Sequence, residues 1–113
     1  MELTKEQADK VFEIVEISKT SGKIRCGTNE TTKEIERSKA KLVIAAKDIN
    51  PPEIIMHLPL LCKEKGVAYV EVASKEELGA AAGINVPTAS VVILDEGKAK
   101  KQLKSVIDTL KSE

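Results

Sequence analysis

The run Leu42-Val43-Ile44-Ala45-Ala46 constrains this chain more than any other segment. It is short, continuous and apolar, the pattern of a strand covered on both faces. A strand of that kind needs a layer of structure on each side of its sheet. The segments around it alternate between helical and extended periodicity and supply those layers.

Thr4 with Gln7 resembles a capping box, and Val11, Ile14, Val15 and Ser18 follow at helical spacing, predicting a first helix that ends near Ser18. Gly22 lies in the polar turn Lys19-Thr20-Ser21-Gly22. Lys23-Ile24-Arg25-Cys26 then alternates as a short strand does, and Gly27 breaks it. From Thr28 the chain regains helical character. Thr31, Ile35 and Ser38 share one face, while Asn29, Glu30, Lys33 and Arg37 lie mainly on another. Asn50-Pro51-Pro52 predicts a turn into a helix carrying Ile54, Ile55, Leu58, Leu61 and Cys62, interrupted or kinked at Pro59 and ended by Gly66. Ala68-Tyr69-Val70-Glu71-Val72 reads as a strand. Ser74 caps a short helix with Glu77 three residues on, Gly83 closes it, and a loop follows at Ile84-Asn85-Val86-Pro87. Ser90-Val91-Val92-Ile93-Leu94 makes a further strand, and Leu103, Val106, Ile107 and Leu110 share one face of a terminal helix from Lys98 to Leu110. This order predicts an α/β fold, a three-layer α/β/α sandwich with a four-stranded mixed sheet. At 113 residues, with no repeat or linker, residues 1–113 are expected to form one domain.

Val, Ile, Leu and Ala supply nearly all of the 42% hydrophobic content, and Phe12 and Tyr69 are the only aromatics. The core is therefore aliphatic, and the chain lacks the material for nucleic-acid binding in which several aromatic rings stack on bases. Acidic and basic residues balance overall, but not locally. Between Lys19 and Lys41 lie seven cations against Glu30, Glu34 and Glu36, a local excess of four positive charges. A solvated helix face accounts for part of that run; a local anionic ligand accounts for it as well. No apolar run is long enough to cross a bilayer, and the start is polar with no signal-peptide pattern, so a soluble, intracellular, cytoplasmic protein without membrane association is expected.

The chain carries little that suits catalytic chemistry. His57, the only histidine, lies between Met56 and Leu58 in an apolar stretch and reads as structural. Cys26 and Cys62 are far apart, belong to no CxxC pair, and read as reduced, inert thiols. Gly79-Ala80-Ala81-Ala82-Gly83 lacks the spacing and the Lys-Ser/Thr ending of a phosphate loop. Neither catalysis nor a metal or cofactor is expected. The informative segment is Gly27-Thr28-Asn29-Glu30-Thr31-Thr32-Lys33, where a strand turns into the amino end of a helix. Capping alone explains Thr28, Asn29 and Glu30; free helix amides with nearby Lys33 and Arg37 also suit a phosphate.

That segment resembles the Gly-x-Asn-Glu-x-x-Lys signature of the archaeal ribosomal L-seven-Ae (L7Ae) family. Leu42-Val43-Ile44-Ala45, His57-Leu58-Pro59-Leu60-Leu61-Cys62 and the stretch from Ala73-Ser74-Lys75 through Val86-Pro87 continue the resemblance in order. It covers nearly the whole chain. It implies a kink-turn RNA-binding protein, present in the large ribosomal subunit on rRNA, in box C/D and H/ACA guide ribonucleoproteins with their guide RNAs and core proteins, and in archaeal ribonuclease P with its RNA. A ribosome-only structural protein of the same fold is the alternative; binding to isolated guide RNAs separates the two.

The resemblance also implies roles for individual residues. Asn29, Glu30 and Lys33 contact guanines of sheared G·A pairs, Thr28 lies beside them, and Arg37 contacts backbone phosphate. Ile84, Asn85, Val86 and Pro87 pack beside an extruded nucleotide, with Lys75 assisting electrostatically. Two positions depart from the family pattern. Cys26 stands where many relatives carry a basic residue, with Arg25 beside it, and Asn85 stands where relatives often carry a charge.

Overall fold

The computed structural model describes residues 5–49 and 56–111. In chain order the elements are α1 (Lys5–Ser21), β1 (Lys23–Cys26), α2 (Thr28–Glu36), β2 (Leu42–Ala46), α3 (His57–Lys65), β3 (Ala68–Val72), α4 (Lys75–Ala81), β4 (Ser90–Asp95), a 3₁₀ turn (Gly97–Ala99) and α5 (Lys100–Lys111). The strands form one sheet in the order β1-β4-β2-β3. β2 runs antiparallel to β4 and parallel to β3, and β1 runs antiparallel to β4, so the sheet is mixed.

Strand periodicity divides the core in two. Leu42, Ile44 and Ala46 of β2, Val91 and Ile93 of β4, and Val70 and Val72 of β3 point to one face. There they meet Val11, Ile14 and Val15 of α1, Leu78 and Ala81 of α4, and Leu103 and Val106 of α5. The intervening residues Val43, Ala45 and Val92 point to the other face and meet Ile35 of α2 with Leu58 and Cys62 of α3. All five residues of β2 are buried, as a strand covered on both sides requires. Burial of an Ile side chain contributes about 1.5–3 kcal/mol. Ile35, fully buried, therefore holds α2 on the sheet more firmly than an N-cap, worth about 1 kcal/mol, would.

The differences from the sequence reading lie at element ends. α1 continues to Ser21 instead of ending near Ser18, because the Thr20 and Ser21 hydroxyls donate to carbonyls of the preceding turn and the Gly22 N–H donates to the Ser18 carbonyl at 2.8 Å. α2 ends at Glu36. Ser38, expected to share a helix face with Thr31 and Ile35, lies beyond the helix, exposed in a left-handed turn with φ 59, where the Lys39 N–H donates back to the Glu34 carbonyl. Within α3, Pro59 sits in the first turn, where a missing N–H costs no helical hydrogen bond. The terminal helix opens with the 3₁₀ turn instead of running unbroken from Lys98. Thr4, the 50–52 turn, Ile54, Ile55 and the Leu110 side chain lie outside the described residues.

Candidate functional site

Local chemistry fixes the start of α2. Gly27 occupies the N-cap with φ 98 and ψ 151, a backbone region essentially restricted to glycine, and no side chain caps the helix. Its N–H donates to the Ser90 carbonyl at 2.8 Å, and its own carbonyl accepts from the Thr31 N–H at 3.0 Å and the Thr31 hydroxyl at 2.8 Å. Thr31 and Ser90, both fully buried, bring their hydroxyls within 3.0 Å of each other, while the Thr88 hydroxyl donates to the Ser90 carbonyl at 2.9 Å. The helix start is thus tied to the first residue of β4. Its first-turn amides, those of Thr28, Asn29 and Glu30, have no intrahelical acceptors, so the end is polarised toward an acceptor or anion.

Thr28 lies half-buried, and among the described residues its hydroxyl has no hydrogen-bond partner. Asn29, Glu30, Lys33 and Arg37 are exposed. Glu30, Lys33 and Arg37 follow at intervals of three and four residues and form one row along α2 and its C-cap. Arg37 reaches Glu34 at 3.7 Å, whereas among the described residues neither Glu30 nor Lys33 is engaged in an ion pair. One turn of helix therefore presents a free acceptor and a free donor side by side. On the flank of this row, His57 Nε2 and the Thr32 hydroxyl share a hydrogen bond of 2.8 Å that links the start of α3 to α2.

The second group lies on α4 and the loop after it. The Lys75 N–H donates to Asp48 Oδ1 at 2.8 Å and the Lys75 carbonyl accepts from the Thr88 N–H at 3.2 Å. Ile84 is partly buried and packs against the larger core cluster, while Asn85, Val86 and Pro87 are exposed, Val86 by 61%. Two residues on from the loop, Ala89 precedes Ser90, the residue bonded to Gly27; the loop thus leads directly into the strand end that seats α2. Gly79 keeps the loop close. A β-carbon there would collide with the Val86 carbonyl, while the Ile84 N–H donates to the Gly79 carbonyl at 3.1 Å. Gly79→Ala gains about 1 kcal/mol of helix propensity, yet forcing a carbon against backbone costs about 1–3 kcal/mol. The expected outcome is a lower denaturant midpoint; an unchanged or higher one would show that the loop yields freely.

The two thiols are poorly placed for nucleophilic work. Burial pushes the Cys62 thiol up to about 11 and raises that of Cys26, leaving little thiolate at neutral pH. Burial, then the hydrogen bond to Glu71, raises the Tyr69 phenol as well. Among the described residues no three His, Cys, Asp or Glu side chains are placed to hold a metal ion, and no helix is long and apolar enough to cross a membrane. Sequence reasoning missed the Thr31, Ser90 and Thr88 network and the His57–Thr32 bond. Thr31 was placed on one helix face with Ile35, but nothing in the sequence pointed to Ser90, 59 residues away.

Residues 9–103 match the profile of the ribosomal protein L7Ae/L30e/S12e/Gadd45 family. Among solved structures, a Giardia lamblia 15.5kD RNA binding protein superposes with a TM-score of 0.93 at 33% sequence identity, the match covering 98% of this chain and 92% of that one.

Proposed function

Because the chain belongs to the ribosomal protein L7Ae/L30e/S12e/Gadd45 family, we propose that it works by binding RNA, without catalysis, and that it recognises the sheared G·A pairs of a kink-turn. The observation that carries this reading is the exposed Glu30 and Lys33, without an ion pair among the described residues, one turn apart beside Asn29 at a helix start with no side-chain cap. A sheared G·A pair leaves the guanine Watson–Crick edge free, with N1–H and N2–H as donors and O6 as acceptor. A carboxylate only accepts and an ammonium only donates, so Glu30 takes the N–H groups and Lys33 gives to O6. Asn29, able to do both, takes a second guanine. Arg37 holds backbone phosphate and sets position more than sequence. Asn85, Val86 and Pro87 lie against the extruded nucleotide and the bent backbone, with Lys75 near them, so that shape is read together with a few base edges.

In this reading residues 1–113 act as one RNA-binding domain in the cytoplasm, in the large ribosomal subunit, in box C/D and H/ACA guide ribonucleoproteins with their core proteins, and in ribonuclease P. Crosslinking the protein to RNA in cells and sequencing the adducts tests it. Recovery of rRNA together with guide RNAs, and tight binding of the purified protein to an isolated guide RNA, are expected. Recovery of rRNA alone, with no binding to isolated guide RNA, would favour a ribosome-only role; adducts without kink-turns would reject the reading.

A further inference from the structure

Beyond the row on α2 the molecule carries a second charged feature. β1 alternates so that Ile24 and Cys26 pack into the larger core cluster, which turns Lys23 and Arg25 to the opposite face of the sheet. There they meet Arg37 at the end of α2 and, past the left-handed turn at Ser38, Lys39 and Lys41. These five cations line one open cavity of about 510 Å³. Two carboxylates, Glu34 and Asp95, share it, and Glu34, its side chain 9% exposed, is taken up by Arg37 at 3.7 Å. Lys41 also lies 4.0 Å from Glu96. The lining keeps an excess of three positive charges.

We propose that this cleft is a phosphate-binding surface that takes the backbone of a duplex arm of the bound RNA, extending the contact past the G·A pairs. The proposal rests on the RNA-binding reading above. Lys and Arg only donate hydrogen bonds, and among the described residues Leu94 is the only large apolar residue lining the cleft, so it offers donors to phosphate oxygens and no aromatic ring for a base to stack on. Complementing the negative end of the α2 dipole explains a cation at Arg37. It does not explain Lys23 and Arg25, which come from a strand, or Lys41, which directly precedes β2. Continuity selects the ligand: Glu30, Lys33 and Arg37 form one row, and Arg37 belongs to both the row and the cleft. From Glu30 to Arg37 the helix rises about 10 Å, so a duplex leaving the G·A pairs along this row brings successive phosphates to the five cations.

The test uses the whole chain and its K23Q/K39Q/K41Q variant, in which all three replaced side chains are exposed. Circular dichroism checks that the variant is folded. Each protein is titrated at several salt concentrations with two kink-turn RNAs of identical core, one with a short arm and one with that arm extended by several base pairs. Wild type is expected to bind the long-armed RNA more tightly and with the steeper salt dependence. The variant is expected to lose about tenfold on the long-armed RNA at low salt, with a slope reduced by roughly two units, and to keep its affinity for the short-armed RNA within about twofold. Equal losses on both RNAs, or no loss on either, would overturn the proposal. Failure of the kink-turn reading shows separately, as equal wild-type affinity for the long-armed RNA and for a matched duplex without G·A pairs.

Discussion

Gly27→Ala should lower both the stability of the fold and its affinity for a kink-turn RNA, although the substitution adds only one methyl group in open space. The added β-carbon has no atom within 4 Å to strike, so the effect comes from the backbone. At φ 98 and ψ 151 a residue with a side chain is strained by about 1–3 kcal/mol. Relief requires rotating a peptide whose N–H is bonded to Ser90 and whose carbonyl accepts two bonds from Thr31. Either the strain stays, and stability falls by that amount, or the bonds give way and the first turn of α2 shifts with Asn29, Glu30 and Lys33 on it. Both outcomes lower the denaturant midpoint. Displacing the row by even one charged hydrogen bond costs binding about 1.5–3 kcal/mol, at least tenfold in affinity.

Gly66→Ala provides the control. Gly66 closes α3 with φ 71 and ψ 31, also has nothing within 4 Å of a β-carbon, and lies outside the candidate surface. Its substitution costs about 1–2 kcal/mol of left-handed strain and should leave RNA affinity unchanged while the protein is folded. Full kink-turn affinity in folded Gly27→Ala would mean that the strain is held without displacing the row, and would contradict the predicted loss of binding.

How much could be read in advance follows the range of the interactions involved. β2 was legible because five adjacent apolar residues determine a doubly covered strand, and the two-faced core follows from period-two alternation in β2 and β4. The turn from β1 into α2 was legible because Gly27 and the residues after it are contiguous. Ser38 was misplaced because 3.6-residue periodicity carries no sign of a left-handed residue. The Thr31–Ser90 pair and the basic cleft were out of reach for another reason. Each joins residues that only the sheet order brings together: β1 and β2 are separated in the sheet by β4, the last strand in the chain. In sequence the cleft registered only as a local excess of positive charge.

The most direct measurement for the central claim is a salt-controlled titration of Glu30→Ala with a kink-turn RNA and with a matched duplex lacking the G·A pairs. Removing a carboxylate from a basic row raises attraction to any polyanion, so a surface that binds RNA by charge alone must bind both RNAs as tightly as before or more so. If Glu30 accepts the guanine N–H groups, the variant instead loses a charged hydrogen bond and about 1.5–3 kcal/mol, roughly 10- to 150-fold, on the kink-turn only. Lys33→Ala should lose kink-turn selectivity too, and Lys98→Ala, which removes an exposed cation in the 3₁₀ turn, should not. The expected result is weaker kink-turn binding by Glu30→Ala with duplex binding equal or stronger; equal or tighter kink-turn binding would contradict base-edge recognition by this residue.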